Sequence, residues 1–211
     1  MKLKRKALRK ARRILGLNLY QRKRANATEK RWNLIKENLS ETDRSLLDIG
    51  CNLGTLTRYA AQSGLTALGV DVLDDALKRA RRRNAELPGL AFMKLAMTPA
   101  AVQRIPSFDV ILCLSVHHYW VSEYGPDVAW SMIEELFRKA HRKIFFEPAS
   151  IAKKYGRFPP EFSDLNREEI VSYHLAKLQA AAGPDWQVRL LGETECLGPE
   201  PFRMLFLATR K

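Results

Sequence analysis

The stretch that most constrains this chain is Ser45–Leu46–Leu47–Asp48–Ile49–Gly50–Cys51–Asn52–Leu53–Gly54–Thr55–Leu56. A short apolar run ends in a carboxylate, a Gly-x-x-x-Gly turn follows, and a helical pattern then begins. Glycine at both ends of the turn permits positive φ and lets a ligand come close to the backbone. A strand that turns directly into a helix presents the helix's first amides to a polar ligand. The pattern belongs to an α/β domain with a ligand site at this turn, and by itself it leaves the ligand open.

The same rhythm continues along the chain. Residues Leu46–Ile49, Thr66–Val70, Leu90–Leu95, Phe108–Leu114 and Lys143–Phe146 read as strands. Helical patterns cover Thr55–Gln62, Asp74–Glu86, Pro99–Arg104 (with Thr98 as N-cap) and Pro126–Ala140. An earlier helix over Thr28–Leu39 places Trp32, Ile35 and Leu39 on one side. Short β–α connections imply a parallel sheet covered on both faces. After Glu147 the rhythm changes. A long loop over 148–165 leads to a helix over Asn166–Ala182, with Asn166 as N-cap and Glu169 three residues on. Trp186–Leu191 and Phe202–Ala208 then read as an antiparallel hairpin. The expected fold is α/β and Rossmann-like: seven mostly parallel strands, helices on both faces, and a C-terminal antiparallel hairpin.

Charge divides the chain. Thirteen of its 36 Lys and Arg lie in residues 1–31, where Glu29 is the single acid, so the remainder is nearly neutral. Residues 1–27 read as a basic amphipathic arm, with Leu3, Ala7, Ala11, Ile14 and Leu15 on one stripe, and 28–211 as the folded domain. Such an arm can lie on an anionic membrane surface, contact nucleic-acid phosphates, or serve as a solvated tail. No apolar run reaches the roughly 18 residues a membrane span needs, and the basic start lacks the apolar core of a secretion signal. Three scattered cysteines, Cys51, Cys113 and Cys196, suit a reducing compartment. The expected location is cytoplasmic, with the arm able to bring the protein to the inner membrane surface.

A dinucleotide site would call for Gly-x-Gly-x-x-Gly. This turn lacks the third glycine, and Asp48 before it repels a pyrophosphate while suiting a ligand with an ammonium group. Leu47–Gly54 resembles motif I of the class I S-adenosylmethionine-dependent methyltransferases, and the element order from 45 to 210 is similar to that family's sheet. The resemblance implies S-adenosylmethionine as cofactor and S-adenosylhomocysteine as product. It implies a cofactor site of Asp48, Gly50, Cys51, Asn52, Leu53 and Gly54, with Asp71 and Val72 after the second strand, Ala96 and Met97 after the third, and Leu114 and Ser115 after the fourth. Asp71 matches the acidic residue that accepts hydrogen bonds from both ribose hydroxyls in that family. Asn52 replaces one family glycine, and it tolerates left-handed φ. Ala96 and Met97 stand where an acid often holds the adenine amine, so adenine recognition here is expected from backbone groups and apolar contact.

Three stretches converge on the acceptor side, beyond the carboxyl ends of the strands. Ser115–Val116–His117–His118–Tyr119–Trp120 offers two imidazoles that can act as base or bind an anion, and two aromatic rings for the acceptor. The alternative is that a histidine caps backbone while Tyr119 and Trp120 cover the cofactor. Glu147 is a candidate catalytic carboxylate or a loop anchor. Lys154, Arg157 and Arg203 are candidate acceptor-binding cations. Adjacent histidines without a carboxylate pair do not make a metal site, and none is expected. Asp48–Gly54, Cys113–Val116, Glu147–Pro148 and Pro201–Met204 are similar to segments of phosphate-directed methyltransferases, including those that cap RNA 5′ phosphates and those that cap O-antigen polysaccharides. The expected reaction is O-methylation of a polar or phosphorylated acceptor, a glycan or lipid-linked intermediate. The alternatives are an RNA methyltransferase and a non-catalytic cofactor-binding module.

Overall fold

The computed structural model describes residues 27–148, 167–195 and 202–211. Helix α1 covers residues 27–36. It is followed by β1 (Ser45–Ile49), α2 (Thr55–Gln62), β2 (Thr66–Asp71), α3 (Asp74–Arg83), β3 (Leu90–Lys94), α4 (Pro99–Arg104), β4 (Phe108–Leu114), α5 (His117–Tyr124), α6 (Pro126–Lys139), β5 (Ala140–Glu147), α7 (Arg167–Ala182), β6 (Trp186–Glu195) and β7 (Phe202–Arg210). The seven strands form one sheet in the order β3-β2-β1-β4-β5-β7-β6. Strands β1 to β5 are parallel, and β7 runs antiparallel between β5 and β6. This is the expected sheet and hairpin.

The chain builds outward from β1 through β2 to β3, then returns to start β4 on the other side of β1. That reversal opens a crevice at the carboxyl ends of β1 and β4. The strand sequences show why these two are central. Phe108–Asp–Val–Ile–Leu–Cys–Leu114 is apolar on both faces, as a strand covered on both sides must be. Val110, Leu112 and Leu114 pack with Trp32, Ile35, Leu46, Leu56 and Phe145 on one face. Ile111 and Cys113 pack with Met132, Ile133, Leu136, Phe146 and Phe206 on the other.

Several boundaries differ from the sequence expectation. Helix α3 stops at Arg83 rather than Glu86, where Asn84 turns its side-chain amide onto the Ala80 carbonyl at 2.7 Å. Strand β5 begins at Ala140, three residues early, because His141 and Arg142 are exposed and hide its start from a hydrophobic pattern. Lys143 is the other surprise in β5. It is buried, and its Nζ donates to Asp43 Oδ2 at 2.5 Å and to Ser40 Oγ at 3.1 Å. The largest difference is α5, a helix over a stretch where the sequence showed no helical pattern.

Helix α1 lies along β5 in the opposite sense. Near its amino end Arg31 meets Glu147, the last residue of β5, while Asp43, after its carboxyl end, meets Lys143 early in the strand. Residue 27 therefore lies towards the strand-end rim of the domain, next to the crevice. Asn166, Lys154, Arg157 and residues 1–26 of the arm fall outside the described residues.

Candidate functional site

The turn after β1 is held from below. The amides of Gly50 and Cys51 donate to the Val70 carbonyl at 2.8 and 3.1 Å, and Gly54 N–H donates to Cys51 O at 2.8 Å. Gly50 and Gly54 have φ of 74° and 69°, and Asn52 joins them at 51°. Asn52 thus adopts the left-handed conformation that its place in the motif requires. A Cβ on Gly50 would come within 2.6 Å of Val116 Cγ2. The turn is therefore pressed against the β4–α5 junction, and glycine is what lets the two walls of the crevice meet. No side chain caps the amino end of α2, so its first amides face the crevice without a protein acceptor on the cap residue.

Two carboxylates set the charge of this side. Asp71 closes β2. Its Oδ2 accepts from Asn52 N–H and its Oδ1 from Leu73 N–H, both at 2.8 Å. A carboxylate oxygen can accept two bonds, so each keeps capacity for a ligand hydroxyl. Asp48 lies beneath the turn, where Thr57 Oγ1 donates to its Oδ2 at 2.6 Å. Burial pushes its pKa from 3.8 up to about 6, against the opposing pull of the Thr57 hydrogen bonds. A cationic ligand above the turn would favour its ionised form. Val72 and Leu73, 55% and 56% exposed, give an apolar rim beside Asp71. Ala96 is exposed at the end of β3, whereas Met97 is buried in the core. Cys51 is buried, and burial with the nearby Asp48 and Asp71 charges holds its thiol far above the usual range. Its thiol is kept in the protonated form, which is the weaker nucleophile.

The donor set fits S-adenosylmethionine. Two carboxylates suit vicinal hydroxyls and a positive charge, and they would repel the pyrophosphate of a dinucleotide. Leu114 and Ser115 complete the crevice from β4. Ser115 has φ 56°, a strained value for a residue with a side chain. Its amide donates to Glu147 O at 2.8 Å and its hydroxyl to Glu147 Oε1 at 2.5 Å.

The structure separates residues that adjacency in sequence had grouped. Helix α5 turns successive side chains by about 100°. His117 enters an aromatic cluster, 4.5 Å from the Trp130 ring and 5.6 Å from Phe146. Burial, with the charges of His174 and His118, lowers its pKa to about 3. Trp120 is likewise buried in the core, while Tyr119 is 57% exposed. His118 packs on Tyr119 with ring centroids 3.9 Å apart. Its pKa is lowered to about 4 by burial and then by the charge of Arg203. Glu147 is fully buried and sits between two guanidinium groups, Arg203 Nη1 at 3.2 Å and Arg31 Nε at 2.9 Å. Arg31 was not singled out in the sequence. Its one signal is its position a helical turn before buried Ile35, where a cation on an inward face needs a partner. Thr57, under Asp48, was missed as well.

Residues 47–143 match the model of the methyltransferase domain family. The chain contains a class I S-adenosylmethionine-dependent methyltransferase domain. Among relatives of this methyltransferase domain, the ubiquinone biosynthesis O-methyltransferase of Pseudomonas fluorescens (strain SBW25) is 30% identical over 119 residues, which is 55% of this chain and 49% of that protein. The enzyme of the same name from Methylococcus capsulatus is 32% identical over 101 residues, 47% of this chain and 40% of that protein. The matched region thus spans about half of these relatives or less. Among solved structures, the bifunctional kinase-methyltransferase WbdD superposes with a TM-score of 0.64 at 23% identity, over 84% of this chain and 38% of that one. The magnesium protoporphyrin IX methyltransferase of Synechocystis PCC 6803, solved with bound S-adenosylmethionine, gives 0.57 at 19% identity, over 90% of this chain and 79% of that one. These likenesses carry the fold.

Proposed function

We propose that this chain methylates an oxygen of a polar or phosphorylated acceptor, such as a glycan or lipid-linked intermediate, using S-adenosylmethionine. The observation that carries the reading is Asp71, whose two oxygens each hold one backbone amide of the crevice and keep capacity for a ribose hydroxyl. Asp71, the Gly50–Gly54 turn and the apolar rim of Val72 would hold the cofactor. When bound, it would supply an electrophilic sulfonium methyl, so that O–C bond formation accompanies S–C cleavage and the bonding pair stays on sulfur. The chain's own task is to align the acceptor and exclude water, which alone supplies much of the barrier reduction.

The rooting of α1 supports a role for the basic arm. Arg31, midway along α1, stands beside Glu147, so the chain that follows the basic segment reaches the carboxyl end of β5. A polyanionic or membrane-borne acceptor would be drawn towards the reacting end. Among the described residues no helix is long and apolar enough to cross a membrane. The proposed location is the cytoplasmic face of the membrane, reached through the arm.

Calorimetry with S-adenosylhomocysteine tests the cofactor reading: wild type binds, and Asp71→Ala loses measurable binding. Unchanged binding in the variant refutes the site. Incorporation of labelled methyl into lipid, glycan and RNA fractions identifies the acceptor class. Neutralising the arm's Lys and Arg should abolish binding to anionic vesicles. Salt-sensitive RNA binding without vesicle binding would instead favour an RNA acceptor.

A further inference from the structure

Helix α2 begins with a cation that has no acidic partner among the described residues. Arg58 is its fourth residue, and its backbone N–H donates to Gly54 O at 2.9 Å, closing the first turn. Thr57, one residue before, donates to Asp48. The Tyr59 ring, one residue after, lies 5.8 Å from the Trp32 ring of α1. At about 100° per residue, Arg58 stands between the Asp48 side of α2 and the side that faces α1. Long helical side chains lean towards the amino end, so Arg58 leads back over the first turn, towards Gly50–Gly54. It is half-buried, with its guanidinium over the Tyr59 ring at 5.1 Å from the centroid. Its Nε is shut off from solvent and has no hydrogen-bond acceptor, and no described carboxylate forms an ion pair with the group.

We infer that Arg58 holds the carboxylate at the amino-acid end of S-adenosylmethionine, while Asp48 faces the ammonium group on the same carbon. Three observations carry this. First, a guanidinium keeps its charge at any working pH, and buried donors nearly always find an acceptor. The covered, unbonded N–H of Arg58 is therefore a place for an acceptor the chain itself does not supply. Second, the charge stands where helix stability disfavours it. The amino end of a helix is partially positive, and acids are the stabilising residues there. Helices α3, α6 and α7 follow that rule with Asp74 and Asp75, with Asp127, and with Glu168 and Glu169. Helix α2 has no acid in its first turn and ends that turn on Arg58. A bound carboxylate would provide the missing negative charge. Third, Asp48 and Arg58 are both placed by the start of α2, Asp48 through its bond from Thr57. An ammonium and a carboxylate on one carbon need opposite charges a short way apart, and the two side chains offer that pair.

The consequence is specificity for the intact cofactor. Its decarboxylated form keeps the adenine, the ribose and the ammonium group, so Asp71 and Asp48 would serve both forms alike. Only the intact form gives Arg58 an acceptor, and a desolvated donor left without one costs affinity. With the ribose on Asp71 and the carboxylate on Arg58, the cofactor would be held at two points, which restricts how its methyl group is presented.

This inference rests on the methyltransferase reading, and the test separates the two. Full-length protein is titrated calorimetrically with S-adenosylhomocysteine and, in a second arm, with its decarboxylated analogue S-adenosylthiopropylamine. Wild type should bind the intact ligand about tenfold or more tightly, the scale of one charge-assisted contact. Arg58→Met should erase that preference: affinity for S-adenosylhomocysteine falls about tenfold or more, and affinity for the analogue stays within about twofold. Arg58→Lys keeps the charge without the fork and should retain part of the preference. The thermal midpoint without ligand, read on the same samples, should hold or rise in Arg58→Met, because a cation leaves the helix start. Unchanged affinity for S-adenosylhomocysteine in Arg58→Met overturns the inference. So does an equal fall for both ligands, the mark of a packing role on Tyr59. Should Arg58→Met unfold, the wild-type comparison decides, and equal binding of the two ligands overturns the inference. Wild-type protein that binds neither ligand overturns the underlying reading instead.

Discussion

Asp48 gives a prediction in which stability and function pull apart. Its carboxylate is buried beneath the turn, and its pKa rises from 3.8 to about 6. A carboxyl raised in the folded state binds its proton more tightly there than in the unfolded chain. Its contribution to stability is therefore full below about pH 4 and is lost as pH rises through 6. At 1.36 kcal/mol per pH unit the loss amounts to about 3 kcal/mol by pH 8. Asp48→Asn removes the titration while keeping an oxygen to accept from Thr57. The absolute gain is smaller, because the new amide N–H also needs a partner. The diagnostic is the difference between variant and wild type, followed by urea unfolding from pH 4 to pH 8. That difference should move in favour of the variant by about 3 kcal/mol across the range. Titrations of buried histidines occur in both proteins and cancel. Affinity for S-adenosylhomocysteine should fall in the variant at pH 8, since the field that suits its ammonium group is gone. Stability curves that run parallel with pH would refute the reasoning.

Lys143→Met leaves the buried Asp43 carboxylate without the cation that holds it at 2.5 Å; urea unfolding should show a loss of about 3–5 kcal/mol. Adding Asp43→Asn should recover part of that loss. His117, His118 and His174 have pKa values lowered to about 3, 4 and 4, so the stability they lend is present above their unfolded value of 6.5 and is lost as pH falls below it. His117→Phe should therefore flatten the acid limb of the stability curve by about 1.36 kcal/mol per pH unit below pH 6, read by thermal unfolding at stepped pH. Gly54→Ala places a methyl group on the Phe92 ring at a backbone φ of 69°. Left-handed strain and overpacking together should cost about 2–5 kcal/mol in thermal unfolding, with loss of S-adenosylhomocysteine binding.

The crevice was legible in the sequence around the Gly50–Gly54 turn and obscure around the ends of β4 and β5. The turn, Asp48 and Asp71 lie on two successive β–α units, and nearby residues in sequence stay near in space. The stretch after β4 misled for the opposite reason. Val116 caps α5 without a side-chain hydrogen bond, so no N-cap residue announces the helix. Reading His117, His118, Tyr119 and Trp120 as a group ignored the helical rotation that sends His117 and Trp120 to the core and Tyr119 to solvent.

By itself the sequence determined the strand–turn–helix at Gly50–Gly54, the apolar strands that must be covered on both faces, and the nearly neutral body behind a basic arm. Each follows from local backbone preference, residue period or charge count, none of which needs a distant partner. Only the tertiary structure decided what Glu147 is. Its partners arrive from α1 and β7 on either side of it in the chain, and no local pattern pairs Arg31 with Arg203. A buried carboxylate takes its role from the charges folded around it, and here they make it the anchor of two arginines.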